Sequence, residues 1–226
     1  MANQSGSVYG LTILSPILAD KTAATSHNCA IRMYLAGLPN DQNSPFAKFS
    51  GTHMARLVVM DDVVFVGRPS CEEHLKSQYL VFETNFDGDL DSYLTRMAQS
   101  VPDVIEKVWT HCWGYPGVKD VPAFVAYMKK CQVDTTFFFA DVNSYTVEQT
   151  LRALQAQADV AAFIEKNQGL PAAVLQKNFA ALVQKLDHAP PPVPGSPERG
   201  GPPHIATRML WATRNDAKAK GATPHE

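Results

Sequence analysis

Residues 8–15, Val-Tyr-Gly-Leu-Thr-Ile-Leu-Ser, alternate apolar with small or polar side chains, the period of a half-buried strand, and Pro16 closes the run. From about Asp20 to Gly37 the period lengthens: His27, Ile31, Tyr34 and Leu38 recur at i, i+4, i+7 and i+11, one face of a helix. Pro39 to Pro45 is loop chemistry. Residues 52–60 return to a strand pattern, Val63 to Val66 is a candidate small strand, and Tyr79 to Phe86 is the next clear one.

Helices dominate the rest of the chain. Asp89 suits an N-cap for a helix carrying Leu90, Tyr93, Leu94 and Met97. Pro102 suits the first turn of a second, with Val104, Ile105, Val108, Trp109 and Cys112 on its apolar side. Trp113-Gly-Tyr-Pro-Gly117 breaks the pattern, and Asp120 caps another helix through Phe124, Tyr127, Met128 and Cys131. Thr135 to Ala140, β-branched and aromatic, reads as a buried strand. Thr146-Val-Glu-Gln149 is a capping box that opens a helix ending near Gly169, and Pro171 starts one more, with Leu175, Phe179, Leu182 and Leu186 on one face. The Pro- and Gly-rich stretch 189–204 reads as a linker between a domain over 1–188 and a tail, 205–226, with one short helix around Met209, Leu210 and Trp211.

Stripped of insertions, the order is β-α-β-β-α-β, a ferredoxin-like α+β pattern: a four-stranded antiparallel sheet with helices on one face, plus extra C-terminal helices. The other face needs a cover or polar residues. In the first strand, Tyr9, Leu11 and Ile13 form an apolar row, and Val8, Gly10, Thr12 and Leu14 a smaller mixed one. Both faces of the sheet are therefore largely apolar, and a second copy packed on the open face is the simplest remedy, giving a symmetric homodimer.

Composition narrows the function. The 226 residues carry 20 Lys and Arg against 22 Asp and Glu, a net charge of -2, which argues against nucleic acid or an anionic membrane as partner. At 45% apolar and 19% charged the chain is that of an ordinary globular protein, and no apolar run is long enough to span a bilayer. Cys29, Cys71, Cys112 and Cys131 contain no C-x-x-C pair, so they read as reduced, small apolar residues of a cytoplasmic protein without a signal peptide. P-loop, dinucleotide-binding and serine-hydrolase signatures are missing. Asn85 to Asp91 lacks the Gly and Glu of an EF-hand loop, and its aspartates suit a helix N-terminus instead.

The candidate chemistry lies where polar residues interrupt apolar ones. If Met60 pairs with Tyr79, Arg56 falls opposite Glu83, either as an anion-binding or proton-relaying pair or as a structural ion pair at the sheet margin. His53, three residues from Arg56, points to the opposite face unless a bulge intervenes. It reads as a general base, a metal ligand or a rim histidine. His111, Trp113 and Tyr115 are candidates to line a flat ligand such as a porphyrin, or else they pack a helix end. His27 reads as a core residue. Arg199, Arg208, Arg214, Lys218 and Lys220 concentrate positive charge in the tail, for a partner surface or a solvated arm.

Three stretches, Gly51-Thr-His-Met-Ala-Arg-Leu-Val-Val-Met60, Tyr79-Leu-Val-Phe-Glu-Thr-Asn-Phe-Asp-Gly-Asp-Leu-Asp-Ser-Tyr-Leu94 and His111-Cys-Trp-Gly-Tyr-Pro-Gly117, look like motifs of uncharacterised bacterial proteins that resemble the dimeric α/β-barrel superfamily. That superfamily includes dye-decolourising peroxidases, chlorite dismutases and cofactor-free monooxygenases. The resemblance covers about residues 7–150 and implies a site in the cavity on the open sheet face, for haem or for a hydrophobic or aromatic small molecule. The expectation is an enzyme-like binder with oxidoreductase chemistry, in which Arg56 stabilises negative charge and His111 or His53 handles protons or iron. The competing expectation is a non-catalytic assembly protein that uses the same interface and the C-terminal arm.

Overall fold

The computed structural model describes residues 3–19, 24–49, 51–63, 74–190 and 192–195. The chain divides into two units, Met1–Gly195 and Ser196–Glu226. The second unit, with the expected tail helix and basic residues, lies outside the described residues, as do Cys71 and most of the candidate strand Val63–Val66.

The first unit is α+β. Its strands are β1 (Gln4–Ser5), β2 (Val8–Pro16), β3 (Thr52–Met60) and β4 (Tyr79–Asp87), antiparallel throughout and ordered β1-β2-β4-β3. The helices are α1 (His27–Ala36), α2 (Leu90–Ser100), α3 (Pro102–Trp109), α4 (Val121–Lys130), α5 (Val147–Asn167) and α6 (Ala172–His188). Expected caps hold: Asp89 accepts from the Ser92 amide, Asp120 from the Ala123 amide, and Thr146 with Gln149 completes a capping box.

Alternation in β2 and β4 sets the layers. Leu11, Ile13, Leu80, Phe82 and Phe86 are buried on one face, where α1–α4 cover them. Phe86 stacks on Tyr93 at 3.7 Å between ring centroids, and Trp109 meets Phe82 edge-on. Several polar atoms beneath this face are partnered, although the buried Tyr127 hydroxyl has no hydrogen-bond partner among the described residues. Trp109 Nε1 donates to Ser15 Oγ over 3.2 Å, and the Tyr93 hydroxyl lies 3.0 Å from Thr84 Oγ1 and 3.2 Å from Thr52 Oγ1.

The strand expected over Thr135–Ala140 does not form. Only its approach reaches β2: Leu14 N donates to Cys131 O and Val133 N to Thr12 O. Beyond that point the edge is taken, because residues 3–5 fold back and β1 pairs Gln4 with Tyr9 and Ser5 with Val8. The displaced segment is held by side chains instead, with Thr135 N on Asn3 Oδ1 and Ala140 N on Ser5 Oγ. Phe137 and Phe139 are consequently 81% and 68% exposed rather than buried. Phe138 lies over Gly10, where a Cβ would sit 2.8 Å from its ring. Glycine at that position makes room for the aromatic ring.

Candidate functional site

The sheet face away from α1–α4 carries the outward residues of the three long strands. Register aligns Thr12, Glu83 and Arg56 across it, with Leu14, Val81 and Val58 in the next row and Pro16, Tyr79 and Met60 beyond. Met60 does pair with Tyr79, so Arg56 stands opposite Glu83. Arg56 Nε donates to Glu83 Oε2 over 2.8 Å and Nη2 shares the same oxygen. Arg56 is 65% exposed, Glu83 32%. At such exposure the pair adds only about 0–1 kcal/mol to stability. It lies beside Met54 and Val58, 55% and 42% exposed, with Thr12 and Asn85 as the polar residues next to it on β2 and β4.

A register shift between Thr52 and Met54 makes His53 the extra residue of a bulge. The bulge turns His53 to the same face as Arg56, and its Nε2 lies 2.8 Å from Asp87 Oδ1. The other Asp87 oxygen accepts from the Val147 amide at 2.8 Å, at the start of α5. Asp87 thus ties the imidazole, the sheet end and the start of α5 together.

His111, Trp113 and Tyr115 sit elsewhere. Trp113 N donates to Pro16 O, which puts the loop at the opposite end of β2 from Val8, the partner of Asp87. With nine residues in β2, the two groups are separated by about 25 Å, at ~3.3 Å per residue. The three side chains also occupy different surroundings. His111 Nδ1 is 2.9 Å from His27 Nδ1, Trp113 is exposed, and the Tyr115 ring meets Tyr127 edge-on at 5.9 Å. Burial, with Glu106 nearby, pushes the Tyr115 hydroxyl pKa well up, as burial does for Tyr127. A porphyrin between them would need His111 turned from His27 and Tyr115 withdrawn from Tyr127. As placed, they do not fit haem.

The His27–His111 contact was not legible in the sequence beyond the position of His27 on the apolar side of its helix. Burial, then His27, then Lys107 lower the pKa of His111. Burial, followed by the neighbouring Cys131, lifts the Cys112 thiol to about 12, which leaves it unreactive. Among the described residues no three His, Cys, Asp or Glu side chains gather to hold a metal ion. Two open depressions, of about 710 Å³ between α2 and α4 and about 400 Å³ beside Tyr145 and Gln149, lie away from Arg56. No described helix is long and apolar enough to cross a membrane.

Compared with known proteins, the chain matches no family profile, no curated protein and no solved structure.

Proposed function

We propose that the chain acts as a small-molecule-binding homodimer, in which a second copy closes over the open sheet face and encloses an apolar site around Arg56 and Glu83. The observation that carries this reading is the β3 side of the face: Met54 and Val58 stand exposed beside Arg56 and Glu83, while on the β2 side Gly10 lies under Phe138 and Val8 is buried. An apolar surface with few convergent polar groups is the usual composition of a ligand site once it is roofed. The full strand order is not that of a ferredoxin-like sheet, because β1 holds the fourth place; what supports such a core is that β2, β4 and β3 lie side by side and residues 131–133 touch the β2 edge.

The ligand class follows from the donors. Glu83 engages Nε and Nη2 of Arg56, and Nη1 has no hydrogen-bond partner among the described residues. A planar guanidinium edge beside methionine and valine suits an aromatic or hydrophobic molecule bearing a carboxylate or phenolate. If the complex turns over, His53 on Asp87 is the proton carrier of the same face and Arg56 holds developing negative charge, the arrangement an oxidoreductase of the cofactor-free kind would use. A thermal-shift and titration panel of aromatic carboxylates and their neutral amides tests this. Arg56→Ala should weaken the carboxylates about 10-fold or more and leave the amides unchanged. Equal affinity of parent and variant for every compound would sink the reading.

A second reading, assembly without catalysis, is favoured by α5 and α6. These 21- and 17-residue helices expose Leu154, Ile164, Phe179 and Val183, surface that suits a protein contact as well as a ligand site.

A further inference from the structure

Among the described residues, α5 and α6 bury only Asn167 and Leu182. Most helical stability in proteins comes from packing an amphipathic face, and among the described residues little packs against this hairpin. It is joined along one side by Phe163 against Phe179, Asn178 Nδ2 on Asn167 Oδ1 and Lys185 on Asp159. A stripe through Ile164, Leu175, Phe179 and Val183 stays uncovered. The same chain has a second exposed apolar surface, the β3 side of the outer sheet face around Met54 and Val58; its β2 side lies under Phe138 at Gly10.

We infer that these two surfaces are each other's cover across two copies: the α5–α6 hairpin of one chain lies on the open sheet face of its partner, and the reverse contact forms at the same time. This rests on the ligand-binding dimer proposed above and names the element that roofs its site. Length supports it. The nine-residue strands run for about 30 Å and α6 for about 26 Å, so one hairpin spans the sheet along its strands. Placement supports it too. Asp87 anchors the start of α5 at the end of the chain's own sheet, and the hairpin leaves β3 of that sheet exposed. Charge is compatible with a second copy as the occupant, since Arg56–Glu83 and His53–Asp87 are internally paired and present no single-sign field. An isologous contact of this kind uses each surface once per chain and closes at two copies.

Cysteine trapping in the full chain, on a Cys29→Ser background, tests it. Val58→Cys and Phe179→Cys are made in separate preparations, mixed, equilibrated and mildly oxidised. The expected result is a disulfide joining one variant to the other, formed at least 10-fold faster than with Lys177→Cys in place of Phe179→Cys. A Val58→Cys preparation that links to itself would mean that sheet faces sheet; it would overturn the hairpin as cover and leave the dimeric site standing. A Val58→Cys/Phe179→Cys double variant that closes within one chain, at a mass of one copy, would overturn both. So would the absence of any cross-link from a chain that sediments as a single copy.

Discussion

Tyr93 shows how a single buried polar atom is kept at low cost. Its ring stacks in the core and its hydroxyl meets Thr84 and Thr52, so three polar groups satisfy one another beneath β3 and β4. Tyr93→Phe would leave the wholly buried Thr84 hydroxyl short of a partner and should cost about 1–2 kcal/mol in urea unfolding. A variant as stable as the parent would show that the contact contributes nothing. Gly10 is the reverse case, where the side chain's absence matters. Gly10→Ala should lose about 1–2 kcal/mol through its clash with Phe138, and the loss should largely vanish in a Phe138→Ala background. Additive losses would mean that the ring is not what the methyl meets. Of the residues picked from sequence, Arg56 and Glu83 were placed correctly because strand register is a matter of counting. His53 was not settled, because a bulge reverses the parity that counting relies on.

At the scale of elements, periodicity and caps located β2, β3, β4 and α2 to α6, where each local preference agrees with burial in the fold. The failure at Thr135–Ala140 has a physical cause. Its composition favours a strand, yet pairing needs a vacant edge, and the polar residues Gln4 and Ser5, which carry no strand signal, occupy that edge. Contacts between helices were equally hidden. The turn after α3 meets α1 through the facing Nδ1 atoms of His111 and His27, one donating and one accepting when both rings are neutral. Lys107 adds positive charge nearby. The folded-state pKa of His111 lies below its unfolded value, so the unfolded chain binds more protons in the interval between them. The pair's contribution is therefore present above the ordinary imidazole value of about 6.5 and lost as pH falls through the lowered one. Melting temperature should drop on acidification through that interval, and His111→Gln should flatten this part of the profile. An unchanged slope in the variant would remove the pair as its source.

For the molecule as a whole, two unsatisfied surfaces in one chain are the feature to explain. Among the described residues a single copy leaves both the β3 side of the sheet and the stripe along α5 and α6 exposed, and the proposed pair would cover them and shelter Arg56. The sequence implied an open, apolar sheet face from the two rows of the first strand, yet that strand's outer row is partly covered by the same chain, with Val8 buried and Gly10 under Phe138, and the exposed apolar residues of the face lie on β3. The sequence did not reveal how little of α5 and α6 would be buried, since an amphipathic pattern predicts a face to be covered without saying by which element. Sedimentation equilibrium of the full chain over a wide concentration range tests the account most directly. Twice 24.8 kDa, falling towards a single copy when Met54→Lys and Val58→Lys are introduced, is the predicted result. A mass of 24.8 kDa at every concentration, with α5 and α6 remaining fully helical, would contradict it.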